Sequence, residues 1–331
     1  MKDYAELTEE GRRRRLKVLA LDALEEYDLD VVRVRGMTDA TNGVFRIDTS
    51  DGERYAMRVG LGPPVGHTEA EMQSEMKLLL ALSDTSDVVV PRPVAAADGR
   101  FVTTASASIV PGERLCAVFT WLEGPLLADR LDAGHIPAYG ATMARLHVAA
   151  ERFTPGPTFT APRFDTLYPY DLPFSVFTDA GSDLLPPSRR SVFEEGSNVV
   201  EDALAKLTGT EKMRILHGDL HPWNVKVNRG RMAVFDFEDM VWGWPVQDIG
   251  TALYYLWSRD DFDEMWGAFR AGYSTVAPWP DRGGQVASFI VARTLLMAND
   301  VISQPEWMSA APEIYERGER RIRSMLDRLS G

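Results

Sequence analysis

Cysteine is almost missing from this chain: Cys116 is the only one in 331 residues. No internal disulfide can form, so packing alone has to hold the fold, and one thiol suits a reducing, cytoplasmic setting. Cys116 lies in the apolar run Leu115 to Trp121, which fits a buried structural thiol better than a nucleophile. Also lacking is an uninterrupted apolar stretch long enough to span a membrane, so no membrane partner is expected. The basic run Arg12 to Arg15 imitates the start of a secretory signal, but Asp22 and Glu25-Glu26 break the apolar segment behind it. That segment reads as an amphipathic surface helix with Leu16, Leu19, Ala20 and Leu24 facing inward. No Gly-Lys-Ser/Thr phosphate loop occurs, and no repeat of fixed period. Gly60-Leu61-Gly62 follows a strand, but position 65 is Val and Pro63-Pro64 cannot open a helix, which excludes the dinucleotide fingerprint. Positive charge is in deficit, with 36 Lys and Arg against 49 Asp and Glu, a net charge of −13 and a pI near 4.9. Such a chain repels phosphate backbones, so nucleic acid is not an expected partner, whereas a cationic small molecule gains from the field. The same acidity also serves plain solubility, and the oligomeric state is left open.

What is present is ordinary globular material, 45% hydrophobic and 26% charged, in a chain long enough for two lobes. Val31 to Arg35, Val44 to Ile47 and Arg54 to Val59 alternate as strands, and Asp51-Gly52 is a hairpin signal. Glu69 to Leu82 carries Met72, Met76, Leu79 and Leu80 at helical spacing. Val88 to Pro93 and Phe101 to Thr104 read as two more strands flanking an Asp98-Gly99 turn, and Val118 to Trp121 as another. From Ile136 to Ala150 the pattern becomes helical and mostly stays so, ending in a basic amphipathic helix over Ile314 to Leu329. Phe153 to Pro187 has no clean period and reads as a long functional loop. A β-rich first part followed by a helical second part indicates an α+β, two-lobed protein.

The chemistry concentrates in His217-Gly218-Asp219-Leu220-His221-Pro222-Trp223-Asn224 and in Val234-Phe235-Asp236-Phe237-Glu238. Each places an acid at the end of a β-prone run. An Asp, an Asn five residues on and an Asp seventeen residues on suit phosphoryl transfer. That reaction needs one carboxylate to accept a hydroxyl proton and oxygen ligands to hold Mg²⁺ against nucleotide phosphates. Asp219 fits the first role, Asn224 and Asp236 the second. A metal cluster of His217, Asp219 and His221 is the competing reading.

At these residues the sequence resembles the aminoglycoside phosphotransferase and choline kinase superfamily, a branch of the protein-kinase-like fold. The resemblance covers about residues 30 to 260. It implies a two-lobed protein-kinase-like fold, with a small antiparallel-sheet N-lobe (1–119), a hinge (120–124) and a larger, mostly helical C-lobe (125–331). It implies Asp219 as catalytic base and Asn224 and Asp236 as metal ligands. His217 and Asp248, in Gln247-Asp248-Ile249-Gly250, support the catalytic loop. The cofactors implied are Mg²⁺ and ATP, with GTP an open second nucleotide. Thr41, Asn42 and Gly43 would cover the phosphates. Arg58 on the third strand would hold them, paired to Glu75 or to Glu71. The Thr120 carbonyl and Leu122 N–H would read the adenine edge. Protein kinases carry Lys where this chain has Arg58, and Asp236-Phe237-Glu238 lacks their third-position Gly. His147, in Met143-Ala144-Arg145-Leu146-His147, is expected to be a satisfied core histidine.

The function implied is transfer of the ATP γ-phosphate to a hydroxyl of a small molecule. His221, Glu238, Trp257 and Asp300 are candidate acceptor contacts. Aromatic and acidic residues together suit a cationic amino-alcohol or amino-sugar. A Ser/Thr protein kinase of the same fold and a nucleotide-binding regulator without transfer activity are the rival readings.

Overall fold

The computed structural model describes every residue except 1, 2, 5, 39–41, 63–65, 85–86, 170–175, 304 and 331, so the expectation for Thr41 falls outside the described residues. Two compact units emerge. The first comprises Met1–Gly124, Phe153–Thr160 and Ala233–Glu238; the second comprises Pro125–Arg152, Ala161–Met232 and Asp239–Gly331. Thr120 to Gly124 group with the first unit, together with two segments that the chain reaches much later.

In the first unit, α1 (Glu9–Leu24) starts at Thr8, whose hydroxyl accepts the Gly11 N–H at 3.3 Å. It buries Leu16, Leu19, Ala20 and Leu24, the face its spacing selects. β1 (Val31–Thr38), β2 (Gly43–Thr49) and β3 (Arg54–Val59) form an antiparallel run. Gly52, at φ +86°, supplies the left-handed turn residue between β2 and β3. The run Val88 to Pro93 gives only an isolated bridge at Val89; the strand β4 is Pro93–Val94. Pro91 and Pro93 have no N–H to offer a ladder, which explains the shortened pairing. β5 (Thr103–Ala105) does not fold back on β4 across Asp98-Gly99. Both strands pair instead with β6 (Arg114–Thr120), which itself pairs with β3. Phe45, Ile47, Met57, Val59, Cys116 and Val118 build the core against α1. Cys116 is fully buried; burial, then the charges of Glu26 and Asp22, push its thiol up to about 12. α2 (Glu69–Ser83) closes this unit with a capping box formed by Thr68 and Glu71.

The second unit is helical: α3 (Ile136–Arg152), α4 (Pro187–Thr208), α5 (Pro245–Leu256), α6 (Phe262–Ser274), α7 (Gln285–Ser303) and α8 (Ala311–Ser330). Among the described residues of 161–186, Asp179–Leu184 form a short 3-10 turn. Two small ladders hold the segment where the chemistry was expected. β7 (Arg214–Leu216) pairs with β10 (Val241–Gly243), and β8 (Val225–Asn228) pairs with β9 (Arg231–Val234). The β8–β9 turn residues Arg229 and Gly230 have φ +49° and +78°, the signature of a tight hairpin. Among the described residues one helical window, Gln285–Ile302 within α7, is long and apolar enough to cross a membrane, and 78% of it is buried inside the protein.

α5 and α7 approach closely because position 250 has no side chain. A Cβ there would lie 2.6 Å from the Phe289 Cβ and 2.7 Å from the Phe289 carbonyl carbon. Backbone cannot step aside as a flexible side chain can. Gly250→Val is therefore expected to cost about 3 kcal/mol or more. That should lower the melting temperature by roughly 5–10 °C in thermal denaturation. An unchanged melting curve would show that the two helices can separate freely.

Candidate active site

Two side-chain clusters carry the expected residues, one in each unit. In the first unit Arg58 projects from β3 and meets Glu75 of α2 in a two-pronged ion pair. Nη1 lies 3.0 Å from Oε1, and Nη2 contacts Oε2. Both residues are buried. Glu71 is engaged elsewhere, accepting the Thr68 N–H at 2.8 Å as the helix cap, so Glu75 is the partner of Arg58. Burial disfavours the Arg58 cation, but the charge and hydrogen bond of Glu75 outweigh it. The charges of Glu238 and Asp236 add to this and hold the guanidinium above its ordinary value. Glu238 belongs to this group: its Oε2 lies 3.9 Å from Arg58 Nη1 and accepts from Asn42 Nδ2. Glu238, a candidate acceptor contact in the sequence, lies in the Arg58 cluster. His67 also approaches Glu238, at 3.9 Å.

In the second unit the loop after β7 is fixed by backbone capture. The buried Asp248 carboxylate, in the first turn of α5, accepts the His217 N–H at 3.1 Å and the Gly218 N–H at 2.9 Å. Gly218 sits at φ +84°, a conformation that would strain any other residue. His147 of α3 contacts the same carboxylate through Nε2 at 3.1 Å and Tyr273 Oη through Nδ1 at 2.9 Å. A carboxylate only accepts, so Nε2 carries a proton and donates it to the hydrogen bond with Asp248. His147 is thus the satisfied core histidine that the sequence suggests. The Asp219 N–H reaches His217 Nδ1 at 3.4 Å, Tyr139 donates to the Leu220 carbonyl at 2.7 Å, and Asn224 Nδ2 donates to the Asp219 carbonyl at 3.0 Å.

That last bond spends the amide donor of Asn224 and leaves its oxygen, the hard ligand a divalent cation takes. Asp236 follows β9 with φ +68°, a left-handed residue that is not glycine. Such strain collects where a side chain has to be aimed, and a carboxylate is again a hard oxygen donor. Among the described residues, no three His, Cys, Asp or Glu converge closely enough to hold a metal by themselves. Among the described residues, His217, Asp219 and His221 therefore form no metal cage, whereas hard oxygen donors such as these suit a divalent cation that phosphates also ligate.

The Asp219 carboxylate is engaged on both oxygens. Oδ1 lies 2.5 Å from Nη2 of Arg293 on α7, and Oδ2 lies 3.3 Å from His221 Nε2. Burial pushes the acid up, yet the Arg293 charge, then the hydrogen bond and charge of His221 and the charge of His217, hold it well below the usual carboxylate range. His221, Trp223 and Tyr255 of α5 form an edge-to-face aromatic trio with centroids 4.8–5.6 Å apart, and Trp223 is 49% exposed. Sequence reasoning missed Arg293, Tyr255 and His67. A lone Arg inside the apolar helix pattern from Val286 to Met297 was the available signal for Arg293.

Residues 34–284 match the phosphotransferase enzyme family, which is more than half of the chain. The chain belongs to this family. Amicoumacin kinase of Bacillus subtilis is 23% identical over 317 residues, covering 94% of this chain and 82% of that protein. Among solved structures, a microcompartment-associated aminopropanol kinase aligns with a TM-score of 0.77 and 21% identity, over 95% of this chain and 98% of that one. The amicoumacin kinase hAmiN in complex with AMP-PNP, Ca²⁺ and Ami aligns with a TM-score of 0.72 and 19% identity, over 94% and 95%. The α+β, two-lobed protein-kinase-like fold and the phosphotransferase reading of the sequence both hold. Membership of that family makes the chain a phosphotransferase.

Of the remaining expected acceptor contacts, Trp257 packs under Arg321 of α8, whose guanidinium is 4.9 Å from its ring centroid, a structural placement. Asp300 lies on α7, two turns beyond Arg293. Burial raises its carboxyl, Arg293 lowers it and Asp219 raises it again, leaving it at about 6. The ordinary value in an unfolded chain is about 4. The native state therefore binds this proton more tightly, and its stability falls as pH rises through that window. Asp300→Asn, which cannot ionise, should melt close to wild type at pH 4 and above it at pH 7.5. Equal melting differences at both pH values would contradict the assigned shift.

Proposed function

We propose that this protein is a Mg²⁺-dependent kinase that moves the γ-phosphate of ATP to a hydroxyl of a small, cationic acceptor. The observation that carries this reading is the Asp219 carboxylate. It is held anionic on a loop that Asp248 clamps by two backbone N–H groups. A base kept ionised and rigid is what acceptance of a hydroxyl proton requires. Asn224 and Asp236 are the proposed Mg²⁺ ligands, and Arg58, braced by Glu75, the proposed cation for the nucleotide phosphates. Bound Mg-ATP supplies the phosphoryl group and the charge neutralisation that its transfer needs. Asn42 and Gly43 are proposed to cover the phosphates, and Thr120 and Leu122, in the hinge 120–124 between N-lobe 1–119 and C-lobe 125–331, to read the adenine.

For the acceptor, the second unit offers a cavity of about 500 Å³. Glu194, Glu201, Ser197 and Asn198 of α4 line it, with Tyr168 and Phe177 from the irregular segment before that helix. Tyr168 also donates to the Leu295 carbonyl of α7, which links the cavity wall to the helix bearing Arg293 and Asp300. Carboxylates next to aromatic faces favour an ammonium group. His221 and Asp300 are the proposed polar contacts nearer the reacting hydroxyl.

The test is Mg²⁺-dependent ADP release against amino-alcohols, aminoglycosides, and neutral alcohols and sugars of similar size. Cationic acceptors should stimulate release, and Asp219→Asn should abolish that stimulation. Glu201→Gln should raise KM for cationic acceptors by roughly 3–10-fold while leaving kcat and neutral acceptors unchanged, as loss of a partly screened charge contact of about 1 kcal/mol would do. Stimulation by neutral alcohols alone would remove the cationic class. Undiminished stimulation in Asp219→Asn would remove the proposed base.

A further inference from the structure

Arg293 is a costly residue to keep where it is. It interrupts an apolar helix, its side chain is only 13% exposed, and its Nε is buried without a hydrogen-bond partner among the described residues. A guanidinium taken out of water needs compensation, and α7 could have packed an aliphatic side chain here at less expense. The compensation comes from two sides. Nη2 donates to Asp219 Oδ1 at 2.5 Å and to Tyr255 Oη at 2.9 Å. Tyr255 stands on α5 two turns after Asp248, so one helix holds the backbone of the catalytic loop and also the cation that grips its carboxylate.

We propose that Arg293 is the positioning residue of the base Asp219, fixing the carboxylate so that Oδ2 takes the acceptor's proton. This rests on Asp219 being the base, as above. In the transfer, the acceptor O–H breaks and its proton goes to Oδ2. The acceptor oxygen bonds to the γ-phosphorus, and ADP leaves with the electrons of the broken P–O bond. Arg293 donates throughout to Oδ1, which stops the carboxylate turning about its terminal bond. His221 Nε2, at 3.3 Å from Oδ2, marks the side from which that oxygen is approached. Groups facing Asp219 from the other packed elements are Tyr139 of α3, Tyr255 of α5 and Asp300 of α7; none of them is a second cation. Beside Arg293, Gly218, Thr251 and Phe289 line a narrow recess of about 10 Å³, which truncation of the arginine would enlarge.

The test compares wild type, Arg293→Ala, Arg293→Lys, Tyr255→Phe and Asp219→Asn. It uses ADP release with the best acceptor of the panel, or with water as acceptor if none stimulates, and AMP-PNP affinity in Mg²⁺ by calorimetry. Loss of positioning at a reacting group costs on the order of 100-fold, so kcat of Arg293→Ala should fall by about that factor with AMP-PNP affinity within about twofold of wild type. Millimolar guanidinium should restore at least about tenfold of that loss, where ammonium at equal ionic strength does not, because only the planar fork reproduces the contact. Arg293→Lys should recover part of the activity, and Tyr255→Phe should lose less than Arg293→Ala. Wild-type kcat in Arg293→Ala overturns the proposal. So does a parallel loss of kcat and AMP-PNP affinity that guanidinium does not reverse, which would leave Arg293 a role in the fold alone. If Arg293→Ala does not fold, full kcat in both Arg293→Lys and Tyr255→Phe overturns it equally. Asp219→Asn separates the two readings: if its ADP release matches wild type, the assignment of the base fails, and if only the Arg293 variants are unaffected, the positioning role alone fails.

Discussion

One buried carboxylate organises the second unit. Asp248 accepts two consecutive backbone N–H groups, those of His217 and Gly218, and the Nε2–H of His147, and it is buried away from solvent. Unpaired donors in such a place cost more than paired ones return, so the loop has one low-energy path. The left-handed Gly218 makes that path sterically possible. Asp219, Leu220 and Asn224 inherit their positions from it through the Tyr139 and Asn224 hydrogen bonds. The positions of these side chains are thus a consequence of polar accounting inside the protein.

The first unit solves a similar problem with charge. Arg58 and Glu75 are both removed from water, and their two-pronged contact gives each its counter-charge with fixed geometry. Breaking such a pair from one side leaves a naked buried ion, which is far costlier than never having had the pair. Glu238 and Asn42 extend this group, so the segment Ala233–Glu238 is tied to the β-sheet unit by charge and a hydrogen bond although it follows the loop 217–224 in sequence.

The parts of this arrangement that were legible in the sequence are those built from neighbours along the chain. The spacing of Asp219, Asn224 and Asp236, the three-stranded run around Asp51-Gly52, and the helices over residues 69–82 and 136–150 all depend on short-range turn chemistry and periodicity. Arg58 with Glu75 was narrowed to two acids, and only the cap geometry of Thr68 and Glu71 decided between them. Arg293 could not be read the same way. It lies 74 residues from Asp219, in a helix whose pattern announces burial and nothing more. Glu238 is legible as an acid near Asp236, but its side depends on which unit claims the strand before it. Trp257 was chosen for its aromatic character, and packing against Arg321 absorbed it.

The lone thiol has a practical sequel. Thiol reagents attack the thiolate, and Cys116, buried in the sheet core with its proton held so firmly, offers almost none at neutral pH. The natural chain is therefore already a silent background for labelling chemistry. A cysteine placed at an exposed point of each unit could carry a spin label or a fluorophore pair with no prior removal of the native one. The distance between the two units, and its response to nucleotide, then becomes measurable in solution on an otherwise unaltered protein.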